Sequence, residues 1–120
     1  MPEWQVDIAY ASEGRFAKFA KKHAREYDSL FANLEKILCI LRSGSKIGGF
    51  QVGFFRSEGG GVYRIGQTSV RSAKESRLYV YFDEQKHVVY TLNVGTKDGQ
   101  TEDINDAKAT VHRIKISEKG

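Results

Sequence analysis

Four cations, Arg71, Lys74, Arg77 and Lys97, lie in or beside the stretches "SRLYVYF" and "HVVYTLNV". Guanidinium and ammonium groups gathered at one end of a sheet bind phosphate oxygens, Arg through its planar fork and Lys as a point charge. Other chemistry has less to draw on. His23, His87 and His112 have no metal-ligand spacing with one another or with Cys39, so no metal is expected. "GGGVYRIG" precedes a strand instead of opening a helix from one, which rules out a dinucleotide-binding or phosphate-loop reading. No serine has a visible base beside it, and no cofactor is expected.

Whether the four cations meet depends on the strands that carry them. With "DEQK" as a turn, Phe82 faces His87, Arg77 lies near Leu92, and Lys97 lies near Ala73 and Lys74. With "SAKE" as the preceding turn, Arg71 faces Ser76, beside Arg77. All four then converge, whereas Lys86 and His87 fall at the opposite end, about 33 Å away at roughly 3.3 Å per residue. Basic residues at strand ends also keep edges and turns soluble.

The net charge of +4 sits in the same region. Lys and Arg outnumber Asp and Glu by 7 to 6 over residues 1–42, by 8 to 4 over 43–97, and are outnumbered 4 to 5 over 98–120. A basic centre on an otherwise balanced chain is an electrostatic footprint for a polyanion such as RNA or DNA. At 120 residues the chain is sized for one domain, 1–120, and its single Pro argues against a low-complexity segment. No apolar run is long enough to span a bilayer and "MPEWQVD" lacks the features of a secretory leader, so a cytoplasmic protein is expected. Cys39, alone in "LEKILCILR", is expected to be a buried, inert thiol.

The elements follow from periodicity. Trp4, Val6, Ile8 and Tyr10 alternate with polar residues and predict a strand over about 4–10 with one buried face. Ser12 caps a helix presenting Phe16, Phe19, Ala20 and His23. After a turn at 26–28, Asp28 caps a second helix that runs through Leu30, Phe31, Leu34, Ile37, Leu38 and Leu41 to Arg42 and ends at Gly44. "FQVGFF", "VYRIGQTSV", "SRLYVYF" and "HVVYTLNV" then read as an antiparallel meander separated by "RSEGGG", "SAKE" and "DEQK". In strand 77–82, Leu78, Val80 and Phe82 face one way and Arg77, Tyr79 and Tyr81 the other, so one face covers the helices and one is left to bind. A short third helix follows Gly99, with Ile104, Ala107, Val111 and Ile114 on one face, Glu102 and Asp103 at its positive end, and a frayed tail at 117–120. The fold class is α+β: an N-terminal strand and two-helix hairpin on an antiparallel sheet, closed by a C-terminal helix.

This order, with "SRLYVYFDEQKHVVYTLNVGTKDGQTEDINDAKATVHRI", resembles the RelE/ParE superfamily of bacterial toxins, and "VGTKDGQTEDINDA" is most similar to its HigB-like branch. The resemblance covers nearly the whole chain. It implies an endoribonuclease that cuts messenger RNA in the ribosome and is silenced by a cognate antitoxin, without cofactor or metal. Arg77 matches the family's strand arginine and Lys97 the cation after the last strand, while Arg71 and Lys74 fall near its preceding basic positions. The RNA's 2′-hydroxyl would attack the adjacent phosphate. Arg77 would stabilise the pentavalent phosphorus, and Lys97 would be the general base, with Arg71 and Lys74 as the neighbouring cations that favour its free amine. Lys74 and Gln67 would contact RNA and Tyr79 would stack on a base. Two features depart from the pattern: the stretch 43–61 is longer than in compact members, and Asp98 and Gly99 follow Lys97 where relatives carry more cations. Two other readings stay open, a ParE-like gyrase inhibitor that cuts no RNA and a noncatalytic nucleic-acid or protein-binding module.

Overall fold

The computed structural model describes residues 3–71 and 73–119. Strand β1 (Gln5–Asp7) leads into helices α1 (Glu13–Lys22) and α2 (Ala24–Arg42), and a short 3-10 turn at Ile47–Gly49 precedes β2 (Phe55–Gly59). Strands β3 (Val62–Gly66), β4 (Ser76–Asp83) and β5 (Val88–Thr96) follow, and helix α3 (Gln100–Lys119) ends the chain. The α+β class holds. The sheet runs β1-β5-β4-β3-β2, antiparallel throughout the meander, with β1 added parallel to β5.

Both faces of the sheet are covered. Leu78, Val80 and Phe82 of β4 pack with Leu30, Leu34, Ile37 and Leu41 of the helix hairpin. Tyr79 packs on the other side with Ala107, Val111 and Ile114 of α3. The alternation in β4 was therefore read correctly, but the face carrying Arg77, Tyr79 and Tyr81 is not left open: a 20-residue α3, the longest helix rather than a short one, lies over it. Ser117 to Lys119 continue that helix, and Gly120 lies outside the described residues.

Several boundaries move for identifiable reasons. Ser12 caps α1 as expected, its Oγ accepting from the Arg15 N–H. The second helix begins at Ala24 rather than Asp28, because the break falls at His23 (φ −131°, ψ 57°) and buried Glu26 then sets its carboxylate 3.4 Å from His23 Nδ1 in the first turn. Helix α2 ends before Gly44, as expected. The first strand stops at Asp7, whose carboxylate accepts from the Ala9 N–H at 2.7 Å and turns the chain. Trp4 is buried, but Val6 and Ile8 are exposed instead of sharing its face. Cys39 is also exposed rather than buried.

"FQVGFF" is no strand before Phe55: residues 50–54 form an irregular arm anchored by buried Ile47. "RSEGGG" is not a separator, since its first four residues complete β2 and the turn sits on Gly60 and Gly61, both with positive φ that favours glycine. "QTSV" leaves the sheet because α2 takes over its polar groups: Asn33 Nδ2 donates to the Gly66 carbonyl at 2.8 Å and Ser29 Oγ accepts from the Thr68 N–H at 2.8 Å. The β3–β4 connection thus spans 67–75, not a four-residue hairpin at "SAKE", whose Ser72 lies outside the described residues.

The β4–β5 register also shifts. Phe82 faces Val89 rather than His87, and Arg77 faces Gly95 rather than Leu92. An irregularity where Tyr79 pairs with Asn93 but Val80 with Thr91 leaves Leu92 extra and reverses the phase of β5. Leu92 consequently packs beneath α3 while Val94 packs with the hairpin. Gly95 then faces α3 so closely that an added Cβ would lie 2.2 Å from Asp103 Oδ2. Gly95→Ala is expected to lower stability by about 1–3 kcal/mol, measured by urea denaturation, with less loss in an Asp103→Ala background.

Candidate functional site

Cross-strand partners share a face, so the register defines two adjacent rows: Arg56, Arg64, Tyr79 and Asn93, then Gly66, Arg77 and Gly95. α3 covers the tyrosine end of these rows and leaves the arginines beside a cleft of about 170 Å³ lined by Phe54, Arg56, Arg64, Gln67, Glu75 and Arg77. Arg77 is only 7% exposed. Burial first, and then the neighbouring Arg77, press the Arg64 guanidinium below its ordinary value. Arginine stays charged in proteins, so this crowding is expressed as positive potential that an anion relieves.

Carboxylates are threaded among these cations. Arg77 Nη2 donates to Glu75 Oε1 at 3.1 Å, and Lys97 Nζ lies 3.6 Å from Glu75 Oε2. Glu58 Oε1 sits 3.8 Å from Arg56 Nε and 3.7 Å from Arg64 Nε. Lys74 Nζ meets Asp98 Oδ2 at 2.7 Å, and the bond from Lys74, with Lys97 also nearby, holds the Asp98 carboxyl below its usual range. Five cations therefore share three carboxylates, an excess of two positive charges.

The floor is polar and buried. Among the described residues, Arg77 Nη1, the Tyr79 hydroxyl and Asp103 Oδ2 are the buried side-chain atoms that lack a hydrogen-bond partner. Burial, followed by the Asp103 carboxylate, pushes the Tyr79 hydroxyl up to about 12. Burial also raises Asp103, against the pull of Arg15, which bonds both the Asp103 carboxylate and the Val94 carbonyl. Arg15 and Asp103 thereby tie α1, β5 and the start of α3 together.

The expected residues divide into groups. Arg77 and Lys97 are brought together by Glu75, and Lys74 stands beside them through Asp98. The Lys97 N–H donates to the Glu75 carbonyl at 2.9 Å, one and two residues beyond its expected neighbours Lys74 and Ala73. Gln67 lines the cleft, with its Oε1 accepting from the Ser76 N–H at 2.7 Å, which fixes the start of β4. Arg71 is exposed in the 67–75 connection, and with Gly66 facing Arg77 it does not stand opposite Ser76. Tyr79 is 0% exposed, buried under α3, and cannot stack on a base. Lys97 has a carboxylate rather than cations as its immediate partner, the opposite of what the general-base role needs. Lys86, expected at the opposite end, pairs there with Glu118.

Arg56 and Arg64 were missed. Their signal was their symmetric placement about Gly60 in "RSEGGGVYR", which makes them cross-strand partners once the glycines are read as a hairpin turn. Among the described residues no three or more His, Cys, Asp or Glu side chains gather to hold a metal, and no helix is long and apolar enough to cross a membrane. No protein-family model matches the chain, and no curated protein is significantly similar to it.

Tyr79→Phe removes a buried hydroxyl without a partner and is expected to change stability at neutral pH by less than about 1 kcal/mol. The folded state holds the tyrosine proton up to about 12 against 10 for the ordinary group. Its stabilisation is therefore present below pH 10 and lost as pH rises toward 12. Tyr79→Phe is expected to flatten that alkaline decline in denaturation midpoints.

Proposed function

We propose that this protein is the toxin of a toxin–antitoxin pair, a ribosome-dependent messenger-RNA endoribonuclease of RelE/HigB type. The observation that carries the reading is the concentration of Arg56, Arg64 and Arg77 at one cleft, with Lys97 joined to it through Glu75. A phosphodiester in that cleft would meet Arg77 and the crowded guanidinium of Arg64, both of which line it. The 2′-hydroxyl would attack the adjacent phosphorus as the bond to the 5′-oxygen breaks, leaving a 2′,3′-cyclic phosphate and a 5′-hydroxyl. Arg64 and Arg77 would stabilise the extra charge on the pentavalent phosphorus. Glu75, which lies between Arg77 and Lys97, would accept the 2′-hydroxyl proton, and the Lys97 ammonium would deliver one to the leaving 5′-oxygen.

Such an enzyme would work on cytoplasmic ribosomes and need an antitoxin. An apolar groove of about 320 Å³ lined by Ile8, Phe16, Ala20, Tyr27 and Phe31 supports that partner, since an amphipathic helix fits such a surface. One observation favours a non-nuclease toxin of the gyrase-inhibiting kind, or a noncatalytic binding module: Glu58, Glu75 and Asp98 already engage the cluster's cations.

Mapping new 5′ ends in transcripts after brief induction in a bacterium separates these. The nuclease reading expects cuts within translated regions, reduced about a hundredfold or more in Arg64→Ala and in Arg77→Ala. Growth arrest without cuts would point to gyrase, and neither effect to a binding module.

A further inference from the structure

The arm at 50–54 and the edge of β2 enclose a second, larger cleft of about 660 Å³, within the range of ligand sites. It adjoins the arginine cleft, the two sharing Gly53 and Arg56. Three rings are laid parallel along it. Phe50 lies 5.8 Å from Phe55 at 10°, and Phe55 lies 5.0 Å from Tyr63 at 12°. Phe55 and Tyr63 both meet buried Phe82 edge-on, so the stack grows outward from the core. It ends at half-buried Phe50, on which no further ring is stacked among the described residues.

The surroundings select the occupant. Arg56 is the one charged residue in the lining, and its counter-ion Glu58 stands outside it, so no carboxylate lines the cleft. Exposed Gln51 adds an amide that can both donate and accept, and Ser57 a hydroxyl. A flat heteroaromatic ring with polar edges and an anion attached on one side satisfies all of these, because every nucleobase offers a stacking face.

We infer that this cleft binds a nucleobase of single-stranded RNA. The base extends the Phe50–Phe55–Tyr63 stack, Gln51 meets its edge, and Arg56 holds the phosphate passing toward Arg64 and Arg77. The inference rests on the RNA reading above and adds to it the place where the strand is gripped beside the phosphate site.

The test uses the full chain and a single-stranded RNA oligonucleotide carrying 4-thiouridine. Irradiation and tryptic digestion release the arm intact, since cleavage after Lys46 and Arg56 yields "IGGFQVGFFR". The expected result is an RNA adduct on that peptide, together with about tenfold weaker binding by fluorescence anisotropy in Phe50→Leu. Because the adduct is read on the unaltered protein, the outcome does not depend on that variant folding. Adducts confined to other peptides, or binding that Arg64→Ala abolishes and Phe50→Leu leaves unchanged, would overturn the base site while leaving the RNA reading intact. An unaltered protein that fails to bind RNA at all would overturn both.

Discussion

Strand β4 has no free face, and that constraint shapes the rest of the molecule. Its even-numbered side chains Leu78, Val80 and Phe82 enter the core beneath the helix hairpin, and Tyr79 is sealed under α3. A polar side chain on this strand can reach a ligand only where α3 stops covering it, and that is where Arg77 sits. Where α3 starts is fixed in turn by the extra residue at Leu92, which turns Gly95 toward Asp103 and lets the carboxylate approach the backbone. Arg15 holds Asp103 from the side of the hairpin. The position of the arginine cleft is thus a consequence of how the two layers close over β4 and β5.

The cleft's carboxylates act as internal counter-ions. Glu75 and Asp98 are largely exposed, and exposed ion pairs contribute little to stability. A phosphate that makes several charge-assisted bonds can compete for the same cations without much loss elsewhere. Glu58 differs, being mostly buried between Arg56 and Arg64, where it limits their repulsion. The cluster's cations are thus partly neutralised, with an excess of two positive charges left over.

Much of the architecture was legible because it rests on local signals. The Ser12 cap, the stripes of the first two helices and the alternation in β4 depend on neighbours a few residues apart. What could not be read depends on contacts across the chain. Ser29 and Asn33 of α2 pull residues 67–68 out of the sheet, and a turn longer than "DEQK" displaces the β4–β5 pairings by two positions, to which the irregularity at Leu92 adds a third from Tyr79 to Ser76. The convergence of Lys74, Arg77 and Lys97 survived because a slip of two or three positions leaves them at the same end. Tyr79 did not survive as a base-stacking residue, since nothing in the alternation of one strand reveals that a later helix covers it. Arg56 and Arg64 could have been found by pairing the residues on either side of the glycines instead of treating the whole segment as a turn.

The central claim, that the arginines of β2, β3 and β4 form a phosphate site, is tested most directly by the salt dependence of single-stranded RNA binding. Each phosphate neutralised on a single strand adds about 0.7 to the slope of log K against log salt concentration. Arg64→Gln, which keeps a polar side chain and removes one charge, should shallow the slope by about that amount. An unchanged slope and unchanged affinity would contradict the account.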